Sequence, residues 1–149
     1  MVVSMAAGAA PAQNDQDYTA QFRQFTTGPQ FTTELVDHLP ASDRVPTPLK
    51  FLGYIAGAEN HLTYAEDVYR YMRAVEAATP RVRVFSIGKT EEGREMVLVA
   101  VSSEQNIANL ERYKDITRRL YDPRRTPDEE AGRLVTEGKA MAYAPGASH

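Results

Sequence analysis

Phe85-Ser86-Ile87-Gly88-Lys89-Thr90-Glu91-Glu92-Gly93-Arg94-Glu95-Met96 decides how this chain is read. Its flanks differ in character from its middle. On the N-terminal side, Val82 to Ile87 carries Val84, Phe85 and Ile87, side chains that suit a pleated surface. On the C-terminal side, Met96 to Val101 is a continuous apolar run. Such a run predicts a strand buried on both faces, as in a sheet with helices on each side. Gly88 and Gly93 bound the link and let the backbone leave and re-enter a sheet without a Cβ penalty. The pattern predicts an antiparallel hairpin. It does not suit phosphate. A phosphate loop needs G-x-x-x-x-G-K-[ST] leading into a helix. Here Lys89-Thr90 comes before the second glycine, a strand follows it, and Glu91 and Glu92 repel anions.

Helices are expected on either side of the hairpin. Upstream, Thr63 and Glu66 form a T-x-x-E capping box, and Ala65, Val68, Met72 and Val75 recur at helical spacing. Tyr64, Tyr69 and Tyr71 read as packing residues of that helix rather than a recognition stripe. Pro80 ends it, because the residue before a proline is pushed out of the α region. Downstream, one helix is expected from Ser103 to Asp122-Pro123, with Ile107, Leu110, Tyr113, Ile116 and Leu120 facing inward. Thr126-Pro127-Asp128-Glu129 predicts another start, with Thr126 as cap, Pro127 in the first turn and Gly138 at the far end. Lys139 to Ala144 then reads as a further strand. The order helix, strand, strand, helix, helix, strand implies an α/β sandwich around a mixed sheet.

Residues 18–61 read as an irregular lead-in. Pro29, Pro40, Pro46 and Pro48 interrupt it, leaving room for at most a short helix near Leu35. Residues 1–17 open with MVVSMAAGAAPA, which carries no charge and ends in a small-residue Ala-Pro-Ala. Two readings stay open there: the tail of a signal peptide, or an unstructured Ala-rich terminus.

Composition excludes several classes. The 149 residues include 17 Lys plus Arg against 20 Asp plus Glu, a net charge of -3 that argues against nucleic acid as partner. Arg118, Arg119, Arg124 and Arg125 are interleaved with Asp122, Asp128, Glu129 and Glu130, which makes a mixed solvated surface. No cysteine is present, so no disulfide framework exists. No stretch reaches the roughly 18 apolar residues of a transmembrane segment. The histidines are His38, His61 and His149, too far apart for a local ligand motif. His38 and His61 read as ordinary loop histidines. Ser86, Ser102 and Ser103 have no neighbouring histidine in sequence to act as base. Catalytic and cofactor-binding residues are therefore not assigned. His149 follows the last expected strand and is preceded by small residues Gly146, Ala147 and Ser148.

Taken together, residues 48–149 resemble the N-terminal part of a zinc metallocarboxypeptidase of the carboxypeptidase A-like family. Ile87-Gly88-Lys89-Thr90-Glu91-Glu92-Gly93-Arg94 is similar to that family's I-G-x-[ST]-x-E-G-R signature. Tyr69-Arg70-Tyr71-Met72-Arg73-Ala74 running into Thr79-Pro80-Arg81-Val82, the apolar strand ending at Ser102, and Gly138-Lys139 through Ser148-His149 complete the likeness. The resemblance implies a zinc enzyme that removes C-terminal residues from peptides or proteins by means of metal-activated water. It places His149 as the first histidine of the H-x-x-E zinc motif, with the remaining ligands, general base and carboxylate-binding arginine not among these residues. The signature loop is structural in that family. A chain cut at this point is expected to be inactive, poorly stable alone and exported to the periplasm or beyond. The competing reading is a stand-alone α/β domain used for binding or structure.

Overall fold

The computed structural model describes residues 13–144. Contacts divide the chain into two compact units, one running through Ala100 and one beginning at Val101.

The first unit opens with helix α1, Gln16–Phe25. Its N-cap is Asp15, whose Oδ1 accepts from the Tyr18 N–H at 3.0 Å. Asp15 is buried, and its second oxygen lies 3.0 Å from Lys50 Nζ. The Asp15 N–H also donates to Leu39 O at 2.8 Å, beside an antiparallel bridge between Asn14 and Pro40. One residue thus ties the start of α1 to two distant parts of the lead-in. A single 3-10 turn follows at Pro29–Phe31.

Helix α2, Pro48–Leu52, has Thr47 as N-cap, proline in its first turn and Gly53 in the left-handed region at φ 83°. A ten-residue α1 was not expected, and the segment near Leu35 forms only turns. The prolines that looked like breakers either lie outside the helices or occupy a first turn, where the missing N–H costs no bond.

Residues 53–64 form a tight connector with left-handed backbone at Gly53, Gly57 and Asn60. Its anchor is Ile55, at 2% exposure the most deeply buried large side chain among the described residues. Helix α3, Ala65–Ala78, begins one residue later than a Thr63 cap requires. Tyr64 stands at the N-cap with no side-chain bond, and the Thr63 hydroxyl is buried without a partner. The capping box does not form. Pro80 stops α3 as expected, with Thr79 at the C-cap. α2 packs on α3 through Phe51 and Tyr71, whose ring centroids are 5.6 Å apart, and Tyr71 donates to Pro46 O at 3.0 Å.

Strands β1, Val82–Lys89, and β2, Glu95–Val101, form a two-stranded sheet. The turn is closed by Thr90 N–H to Arg94 O and Gly93 N–H to Thr90 O. Gly88 and Gly93 have φ of 126° and 80°, so the two glycines are required by conformation. α3 holds the hairpin at two points one helical turn apart. The Glu76 carboxylate accepts from the Val84 N–H at 3.0 Å, and Arg73 reaches both oxygens of Glu95 at 2.7 and 2.8 Å. The expectation that β2 is buried on both faces does not hold. Leu98 is 40% and Val101 72% exposed. Among the described residues the sheet has only two strands, too few to enclose a central apolar strand.

The second unit is helical. The single helix expected after Ser103 is two, α4 at Glu104–Ala108 and α5 at Leu110–Tyr121. Asn109 separates them, its side-chain amide donating to Gln105 O in competition with the helical ladder. Ser103 caps α4 as read, and Ile107 and Ile116 are buried. Helix α6, Asp128–Glu137, runs antiparallel to α5, since Arg112 pairs with Glu137 and Arg119 with Glu130. Thr126 does not cap α6. Its buried hydroxyl donates to Arg119 O at 2.7 Å and so satisfies a carbonyl left over at the end of α5. Gly138 closes α6 with extended backbone rather than a left-handed turn. A Cβ there would lie 3.1 Å from Leu134 O and 3.4 Å from Ile116, so close approach is what favours glycine.

Lys139 to Ala144 is not a strand. Met141 and Tyr143 are 69% and 80% exposed, and without a neighbouring ladder an extended segment gains no sheet hydrogen bonds. The architecture is therefore α/β in the coarse sense of helices with one small antiparallel sheet.

Three outcomes follow for stability. Ile55→Ala should lower unfolding free energy by about 2 to 5 kcal/mol in urea titration, through a cavity in the connector. The Tyr18 N–H and then Lys50 hold the Asp15 carboxyl below its ordinary range. Its contribution should be complete above about pH 5 and be lost as pH falls from there through the lower folded-state value, because in that window the unfolded chain binds a proton that the folded chain does not. Urea midpoints measured across acidic pH should show this slope, and Asp15→Asn should flatten it. Glu76→Ala should speed hydrogen exchange at the Val84 amide while leaving exchange in α6 unchanged.

Candidate functional site

The residues able to carry chemistry are scattered. His38 Nδ1 lies 2.5 Å from Asp37 Oδ1 on a half-buried loop. His61 stacks on Tyr54, with ring centroids 4.5 Å apart and planes at 11°. This stack sits in the glycine-rich connector and gives His61 a packing role. His149 lies outside the described residues. Among the described residues no group of three or more His, Asp or Glu is arranged to hold a metal ion. A hydrolytic zinc site takes about three protein ligands and an open position. The described residues do not fit that group by themselves.

The glycine-bounded turn of the hairpin is built as turn hardware. Glu92 pairs with Arg94 at 3.2 Å, and both side chains are about three-quarters exposed. The Thr90 hydroxyl accepts from the Arg94 N–H at 3.2 Å, which fixes the turn internally. The Thr90, Gly93 and Arg94 amides are spent on the turn's own carbonyl and hydroxyl oxygens, and Glu91 and Glu92 disfavour an anion. Lys89 adds a positive field that, after Arg73 and Ser86, helps hold the Glu95 carboxyl below its usual range. Arg73 is raised in turn by Glu95. These are exposed ion pairs whose weight is reduced by solvent, and their geometry is that of a helix-to-hairpin clamp.

Shallow depressions occur among the described residues. One, of about 250 Å³, lies at the end of α1 between Phe22, Arg23, Thr32 and Asp37. Another, of about 390 Å³, lies along α5 between Lys114, Arg118, Tyr121 and Met141. Neither contains a histidine or a paired set of carboxylates. The basic residues near the end of α5 are paired locally: Arg118 with Asp115, Arg119 with Glu130, and Arg124 and Arg125 both with Asp122. The mixed-surface reading of that cluster holds. No helix among the described residues is long and apolar enough to cross a membrane.

Sequence reasoning did not anticipate the pair between buried Asp15 and the half-exposed Lys50. Its signal was the D-x-x-Y spacing of an N-cap at Asp15.

Comparison with known proteins gives one positive finding. Residues 68–133 match the family model described as zinc carboxypeptidase. The matched stretch, just under half of the chain, takes in most of α3, the β1–β2 hairpin, α4, α5 and the first half of α6. It contains the Ile87-to-Arg94 signature and stops short of His149. No curated protein and no solved structure matches the chain.

Proposed function

We propose that this chain is the N-terminal part of a zinc-dependent carboxypeptidase that removes residues from the C-termini of peptides or proteins. The observation that carries the proposal is the zinc carboxypeptidase match over residues 68–133, with the glycine-bounded hairpin at its centre. In this reading residues 62–149 are the opening portion of the catalytic α/β domain, and its mixed sheet grows from the β1–β2 hairpin. Residues 18–61 are a lead-in that packs on α3 through Phe51 and Tyr71. The export reading is confined to residues 1–12, the uncharged Ala-rich stretch, because Asp15 caps α1 and residues 13–17 belong to the folded lead-in.

His149 is the first zinc ligand, at the head of an H-x-x-E motif. Bound in the complete enzyme, zinc would supply Lewis acidity toward a peptide carbonyl and a water of lowered pKa. The residues described here contribute scaffold: the Glu76 and Arg73 clamps fix α3 against the hairpin, and the Ile55 connector joins the lead-in to α3. By itself the 149-residue chain is an inactive fragment. The exposed apolar side chains on β2 favour this over a self-contained binding domain, because such a surface is covered in a finished fold.

The test uses the protein purified from its source beside the 149-residue chain. The natural product should carry about one zinc per molecule. It should release C-terminal amino acids from peptides in a chelator-sensitive way, and His149→Ala should abolish both. The 149-residue chain should do neither. Full zinc content in the His149→Ala form would overturn the ligand assignment. Absence of peptidase activity in the zinc-loaded natural product would overturn the functional one.

A further inference from the structure

We draw no further inference here: the strongest candidate, the exposed apolar side chains of the β1–β2 hairpin at Ile87, Met96 and Leu98, is an unpartnered sheet surface with nothing in the structure to show what covers it.

Discussion

The bond from the Val84 N–H to the Glu76 carboxylate ties helix α3 to the hairpin of the first unit. A two-stranded ribbon is marginal in water on its own. Here a helix side chain occupies a backbone donor of β1 that would otherwise be bare. Arg73, one turn earlier on α3, holds Glu95 at the start of β2. Helix and hairpin are thereby locked in one arrangement, and Val82 at the base of β1 is buried. The lead-in depends on the same helix, since Tyr71 both bonds to Pro46 and packs on Phe51. β2 keeps large apolar side chains half in solvent.

The second unit follows a different logic. Its apolar core is small, centred on Ile107, Ile116 and Leu134. Antiparallel ion pairs between α5 and α6, together with the Thr126 hydroxyl on the last turn of α5, set the helix register. Gly138 allows the end of α6 to close over Ile116. These polar contacts are mostly exposed, so their role is alignment more than net stability.

Much of this was legible in sequence. The hairpin was read from Gly88, Gly93 and the β-favouring runs beside them, because left-handed turns and strand propensity are local properties. The Ser103 cap and the stop before Pro80 were local in the same way. What failed depended on neighbours. The Thr63 and Thr126 hydroxyls looked like caps, but one is buried without a partner and the other serves the preceding helix. Met96 to Val101 looked fully buried, yet burial requires covering elements that a two-strand sheet lacks. Lys139 to Ala144 looked like a strand, yet a strand needs a ladder partner. α1 was missed because nearby prolines outweighed the Asp15 cap, whose second oxygen is met by Lys50, 35 positions away. The signature Ile87-to-Arg94 pointed to the zinc carboxypeptidase likeness because that loop is fixed by conformation. His149, the metal ligand that the resemblance implies, lies outside the described residues.

The central claim is that residues 62–149 are the beginning of a metallopeptidase domain rather than a finished one. Intact-mass measurement of the protein purified from its source, with peptide mapping through position 149, tests it most directly. The account predicts a mass well above 16.6 kDa and a glutamate three positions beyond His149. A native product ending at His149 would contradict it and leave a non-catalytic α/β domain in its place.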